Sequence, residues 1–216
     1  MGRFQAIFFD FDGTIADTDP DIRAAWLAAI ADLGLTCECF DRTFRVGPSL
    51  PETARMLFPD ADDRVREKVQ TRYKNFYDDA DSYSARAYPG VLETINALHE
   101  QKVKIFVVTN KRLKPTVKLL AKYRLLECCA GVFTPDIISP DKPLTKPEMV
   151  NLAMRVSGIA DPRNILMTGD TEIDVNAGKT NGTATCAVTW GYASREKLLL
   201  AQPDHLIDTP DELLKL

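Results

Sequence analysis

The stretch Ala6-Ile7-Phe8-Phe9-Asp10-Phe11-Asp12-Gly13-Thr14 decides how the rest of the chain is read. A short apolar run rich in strand formers ends at a turn cluster holding two carboxylates and a glycine, so it reads as a buried strand feeding a polar loop. A strand that is apolar throughout, rather than alternating, belongs inside a parallel sheet covered on both faces. From Tyr88-Pro89-Gly90 onward, helix and strand signals alternate. Helices are expected at 91–100, from Pro115 to about Tyr123, after Pro147, from about Ile173 to Lys179 and near 194–201. Strands are expected at 103–108, weakly around Val132-Phe133, at 164–167 and at 184–188, before a short terminal element. This alternation predicts an α/β fold, a Rossmann-like parallel sheet covered by helices.

The first strand is separated from the others by a block without any strand signal. Asp19-Pro20 reads as an N-cap followed by the first helical residue, and Ile22, Ala25, Trp26, Ala29, Ile30 and Leu33 recur at helical spacing up to Gly34. A second helix is expected from near Pro51 to before Pro59. A third spans about 63–80, with Val65, Val69, Tyr73, Phe76 and Tyr77 on one side. The economical organisation is a core domain formed by residues 1–16 and 86–216, interrupted by a helical cap domain at 17–85. The Trp26 stripe and the Tyr73, Phe76 and Tyr77 cluster read as packing rather than as a recognition cage.

Composition narrows the class. The 216 residues are 45% hydrophobic and 27% charged, with a formal charge of -4 and no polybasic tract, which argues against nucleic acid or an anionic membrane surface as the main partner. The longest uninterrupted apolar run, Ala24 to Ala31, falls far short of the roughly 18 residues a spanning helix needs. The N-terminal segment reaches a carboxylate before any signal-like apolar region forms, so the cytoplasm is the expected location. Five cysteines include the close pairs Cys37/Cys39 and Cys128/Cys129, neither with the C-x-x-C spacing of zinc or redox motifs.

Polar clusters follow the expected strands: Asp10 to Thr14, then Thr109-Asn110-Lys111, then Gly169-Asp170-Thr171-Glu172-Ile173-Asp174. Lys146 stands just before Pro147. In an open parallel sheet, ligands bind beyond the carboxyl ends of strands near the topological switch point, so these distant segments should converge there. In content and order they resemble the four signature motifs of the haloacid dehalogenase superfamily, phosphatase branch. Trp190-Gly191-Tyr192 and Pro203 to Asp208 are similar to the C-terminal part of its phosphoglycolate-phosphatase-like subgroup, which carries a helical cap after the first motif. The resemblance spans essentially the whole chain.

It implies a Mg²⁺-dependent phosphatase that hydrolyses a small phosphate monoester through an aspartyl-phosphate. Asp10 is the expected nucleophile and Asp12 the acid–base group, since a carboxylate can split one hard displacement into two easier steps while a second carboxyl moves the proton. Thr109 and Lys146 complete the catalytic set. Gly13 and Asn110 are expected at the substrate and Lys111 at the substrate or a carboxylate, together with Arg45 and Ser49 at the substrate from the cap loop Arg45 to Leu50. Asp10 (carboxylate), Asp12 (backbone carbonyl) and Asp170 are the expected metal ligands, with Asp174 reached through water. Each pair of like charges at about 4 Å costs on the order of 4 kcal/mol at an effective dielectric of about 20. Such a cluster therefore needs cations. With Asp12 protonated, three negative charges are balanced by Mg²⁺ and Lys146.

Four other readings compete for these residues. A 5′-nucleotidase or a phosphotransferase of the β-phosphoglucomutase kind keeps both carboxylates, whereas a dehalogenase is expected to lack the second. A phospho-acceptor receiver domain uses similar groups in a different chain order and leaves no place for the insertion. Expected partners are a small phosphorylated metabolite and, for the assembly, either no second copy or one in a homodimer.

Overall fold

The computed structural model describes residues 4–216. Strand β1 (Ala6–Phe9) leads through the short β2 (Ala16–Asp17) into helices α1 (Asp19–Asp32), α2 (Phe40–Thr43), α3 (Leu50–Leu57) and α4 (Asp63–Asp78), followed by β3 (Arg86–Ala87). The chain continues through α5 (Val91–Glu100), β4 (Lys104–Val108), α6 (Leu113–Lys122), β5 (Cys129–Phe133) and α7 (Lys146–Ser157). It ends with β6 (Ile165–Gly169), α8 (Glu172–Thr180), β7 (Ala184–Val188), α9 (Arg195–Leu200), β8 (His205–Ile207) and a closing 3₁₀ turn. Two compact units result: residues through Asp17 with Ala87–Leu216, and Thr18–Arg86.

The first unit is built on a sheet with strand order β5-β4-β1-β6-β7-β8, parallel throughout. Ala6–Phe9 sits between Lys104–Val107 and Ile165–Thr168, and the four residues of β1 are all buried. Burial on both faces is why the sequence there is continuously apolar. On one face Met149, Val150 and Ala153 of α7 pack with Phe8, Phe106, Val108 and Met167. Phe8 and Phe106 meet edge to face with centroids 5.2 Å apart. The chain first travels from β1 to β4 and β5, then returns to β6, β7 and β8 on the other side. The crevice between the carboxyl ends of β1 and β6 is thus the switch point.

Three expected boundaries move. α6 starts at Leu113, two residues before Pro115, because the Leu113 N–H donates to the Asp136 carboxylate at 3.0 Å and Arg112 pairs with the same group at 3.4 Å. A cap supplied 23 residues downstream is invisible to a local reading. β5 begins at Cys129 rather than near Val132; it is a half-buried edge strand, so its apolar signal is diluted. In α1 the N-cap position is Thr18, with Asp19 already helical and Pro20 one position deeper than expected.

Within Thr18–Arg86, α1 packs on α4. Trp26 stacks on Tyr73 at 4.6 Å, Tyr73 on Tyr77 at 5.4 Å, and Tyr77 meets Tyr83 at 5.2 Å. Asp21 gathers the two ends of this unit, accepting from the Ser84 N–H at 2.9 Å, the Ser84 hydroxyl at 2.7 Å and the Ala85 N–H at 2.8 Å. Phe76 is a correction: it is 43% exposed, because the buried row of α4 runs Val69, Tyr73, Tyr77 at steps of four and Phe76 falls beside it. The four-residue α2 has no sequence signal of its own; it is held by Phe40 stacking on Phe44 at 4.9 Å with the Arg23 guanidinium over both rings. Replacing the buried Trp26 with Ala should cost about 3–5 kcal/mol, read as a lower denaturation midpoint by circular dichroism; a cost below about 1 kcal/mol would show that the aromatic ladder does not hold this unit together.

Candidate active site

All the groups of the site come from the first unit. Asp10 and Asp12 leave the end of β1, Thr109 to Lys111 the end of β4, and Asp170 the end of β6, while Lys146 and Asp174 lie in the first turns of α7 and α8. The Asp10 N–H donates to the Thr168 carbonyl at 2.9 Å, which extends the β1/β6 ladder up to Asp10. Helix α7 is set by a capping box between Thr145 and Glu148, and α8 by one between Thr171 and Asp174. Each box fixes where the neighbouring lysine or aspartate points.

Carboxylate oxygens of Asp10, Asp170 and Asp174 lie within 4.8 Å of one another, and all three residues are buried. Lys146 Nζ donates to Asp10 Oδ1 at 2.8 Å and pairs with Asp174 Oδ1 at 2.9 Å. Asp174 Oδ2 is held by the Thr171 N–H at 3.1 Å and hydroxyl at 2.7 Å. The Asp12 carboxylate is outside the trio; Lys111 Nζ donates to its Oδ1 at 2.8 Å. Lys111 is thus a second buried cation of the site beside Lys146. Two ammonium groups stand against four carboxyl groups, so the cluster has fewer cations than acids, and a divalent cation would make up the difference.

Electrostatics reflect that deficit. Burial pushes the Asp10 carboxyl up to about 6, with Asp174 and Asp12 adding to the effect and Lys146 opposing it. Asp170 is raised well above the ordinary carboxylate range by burial and by its neighbours Asp174 and Asp10. Burial alone would depress the Lys146 ammonium, but Asp10 and Asp174 outweigh it and hold it firmly protonated. Hard carboxylate oxygens, crowded and short of positive charge, fit a Mg²⁺ ion.

Two glycines make room for Asp170. Gly13 has φ +81°, and a Cβ there would fall 2.2 Å from Asp170 Oδ2; a Cβ on Gly191 would fall 2.2 Å from Asp170 Cβ. The space beside Gly13 is therefore filled by Asp170 and the Tyr192 ring. Asp170 Oδ2 accepts from the Tyr192 N–H at 2.7 Å, and Thr14 Oγ1 donates to its Oδ1 at 3.3 Å. Further on, the Tyr192 hydroxyl donates to Asp17 at 3.0 Å and the Trp190 indole N–H to the Thr14 carbonyl at 3.1 Å. Tyr88 faces the same acidic set: burial, then Asp17 and Asp170, push its phenol well above the ordinary range, so it stays neutral. Thr14, Tyr88, Thr171 and Tyr192 are contacts that sequence reasoning missed. Thr14 and Thr171 lay inside the quoted polar clusters and Tyr192 inside the Trp190-Gly191-Tyr192 motif, but none of them was given a role.

Thr109 is buried, its hydroxyl accepting from the Lys111 N–H at 3.2 Å, and Asn110 follows half-buried. The two expected cap residues lie in the other unit. Arg45 is exposed, and the Ser49 hydroxyl donates to Glu52 Oε2 at 2.6 Å as part of the α3 capping box. That cap accounts for Ser49 by itself.

The sequence profile of the haloacid dehalogenase-like hydrolases matches residues 7–188, which takes in every one of these core carboxylates and both lysines. The chain belongs to that family. Among curated relatives of this haloacid dehalogenase-like hydrolase, a phosphoglycolate phosphatase from Vibrio vulnificus is 29% identical over 98% of this chain and 95% of its own length. A pyrophosphatase PpaX from Anoxybacillus flavithermus is 32% identical over 99% and 97%. The crystal structure of a predicted phosphatase from Clostridium acetobutylicum superposes with a TM-score of 0.86 at 24% identity, covering 98% of this chain and 97% of that one, which establishes the shared fold. Among the described residues, no helix is long and apolar enough to cross a membrane.

The sign of the Asp10 shift sets a pH test. A carboxyl that titrates near 6 when folded and near 3.8 otherwise binds its proton more tightly in the folded chain, so the cation-free protein loses stability as pH rises between those values. Asp10→Asn removes that dependence. In chelator, the stability of wild type relative to Asp10→Asn should therefore fall between about pH 4 and about pH 6 in calorimetry; a difference that is flat or rises would show that Asp10 is not held in a proton-favouring site.

Proposed function

We infer that this hydrolase is a Mg²⁺-dependent phosphatase that cleaves a small phosphate monoester, phosphoglycolate-like, through an aspartyl-phosphate on Asp10. The observation that carries this reading is the position of Asp10: buried at the switch point, oriented by Lys146 at 2.8 Å, and grouped with Asp170 and Asp174. Asp10, Asp170 and Asp174 would hold Mg²⁺ with the Asp12 carbonyl, and the ion would supply the two positive charges that the carboxylates and an incoming phosphate need.

Lys146 keeps Asp10 aligned while the carboxylate attacks phosphorus and displaces the alkoxide. Asp12 donates the proton to that leaving oxygen and later takes one from the water that hydrolyses the acyl phosphate. Lys111 fixes the direction of Asp12 through Oδ1, and its charge attracts the phosphate dianion. Thr109 and the nearby Asn110 are placed to hydrogen-bond phosphoryl oxygens as charge builds on them. The Thr18–Arg86 unit is the cap of this reading, with Arg45 as its candidate substrate contact.

The pyrophosphatase relative favours a second substrate, an anhydride in place of the ester, which the same residues would attack in the same way. Purified enzyme assayed on phosphoglycolate and pyrophosphate side by side separates the two by kcat/KM. Asp10→Asn should lower kcat by a factor on the order of 10³ or more with an unchanged circular dichroism spectrum; wild-type turnover would remove the nucleophile assignment. Chelation should abolish turnover and leave the spectrum intact, and Mg²⁺ should restore activity. Activity that survives exhaustive chelation would remove the metal from the reaction.

A further inference from the structure

Cys37 and Cys39 flank Glu38 in the turn between α1 and α2, inside the Thr18–Arg86 unit. The Phe40 N–H donates to the Cys37 carbonyl at 3.0 Å, and Cys39 has φ -89° and ψ 5°, the third position of a type I turn. Helix-like backbone holds Cα atoms two residues apart at about 5.5 Å, inside the range of about 4.4–6.8 Å that a disulfide spans. The two sulfurs lie 3.7 Å apart. Both residues are partly exposed. The two thiols are also unlike: hydrogen bonds from Thr43 and from Cys37 hold the Cys39 thiol below its ordinary value, while burial pushes that of Cys37 up to about 11.

We propose that Cys37 and Cys39 form a peroxide-sensitive dithiol that closes reversibly to a disulfide, with Cys39 as the attacking thiol and Cys37 as the resolving one. The Cys39 thiolate attacks a hydroperoxide oxygen, the O–O bond breaks, and the products are a Cys39 sulfenic acid and an alcohol, or water when the oxidant is hydrogen peroxide. The Cys37 thiol then attacks the sulfenic sulfur and a water leaves. Two thiols are oxidised by two electrons and one hydroperoxide is reduced. Closing the sulfurs from 3.7 Å to about 2.05 Å ends the contact in which Cys37 Sγ donates to the Leu57 carbonyl at 3.4 Å at the end of α3. The remaining cysteines differ: Cys128 donates to Asn96 at 3.2 Å, burial raises the thiols of both Cys128 and Cys129, and Cys186 is buried.

The test is limited oxidation of the whole reduced protein with hydrogen peroxide, followed by alkylation and peptide mass mapping. Expected are the loss of two of the five thiols, a peptide holding Cys37 and Cys39 lighter by two hydrogens, and full recovery with dithiothreitol. Cys37→Ser should leave a Cys39 sulfenic acid that dimedone traps, and Cys39→Ser should slow oxidation of Cys37 by about tenfold or more. Oxidation that falls first on Cys128 or Cys129, oxygen addition without loss of hydrogens at 37–39, or a disulfide between chains would each overturn the proposal; wild-type mapping gives these results without relying on any variant.

Discussion

Four buried carboxyl groups gathered in one crevice, with two buried ammonium groups among the described residues to answer them, form the constraint around which the rest of the first unit is arranged. Asp10, Asp170 and Asp174 repel one another at close range, and burial raises the energy of each charged form. Lys146 bridges Asp10 and Asp174, and Lys111 holds Asp12. Hydrogen bonds do the remaining neutral work: Tyr192 and Thr14 on Asp170, Thr171 on Asp174. An arrangement of this kind is held in place by the fold rather than by mutual attraction. The rigid ends of β1 and β6, paired residue by residue up to Asp10, supply that force.

The same constraint explains the choice of residue at several positions that carry no chemistry. Gly13 and Gly191 are small because the Asp170 carboxylate occupies the volume a methyl group would take. Thr145 and Thr171 are caps because the helices that carry Lys146 and Asp174 must begin at fixed points. Tyr192 serves twice, its backbone on Asp170 and its hydroxyl on Asp17, the last residue of the first unit before the chain enters the helical one. A residue that fixes a charged ligand from its backbone is insensitive to side-chain identity, which is why such contacts escape a reading based on residue type.

Legibility followed the range of the interaction. The β1 run, the β7 strand and helix α5 were readable because burial on both faces, or on a helical stripe, writes itself into consecutive residues. The start of α6 was not, since its cap is Asp136, and neither was α2, which exists through the Phe40, Phe44 and Arg23 contacts. In the site, the carboxylates and Lys146 stood out as polar residues at strand ends and a helix start. Lys111 was readable as a contact of the substrate or of a carboxylate from its place after Thr109-Asn110, but that the carboxylate is Asp12 was not, because nothing local fixes a partner 99 positions away. At Ser49 a hydroxyl in a loop suggested a ligand contact, and the structure also gives it a capping role on Glu52.

The order and type of the polar clusters, and the apolar strands that precede them, were determined by the sequence alone, because periodicity and turn chemistry act between near neighbours. That was enough for the fold class and for the family. Which charges are paired was decided only by the tertiary structure: Lys146 with Asp10 and Asp174 across 136 and 28 positions, Lys111 with Asp12 across 99. It likewise decided that the sulfurs of Cys37 and Cys39 lie 3.7 Å apart. The physical reason is that charge and thiol chemistry depend on separations of a few ångströms, and chain distance fixes such separations only where the backbone is already folded.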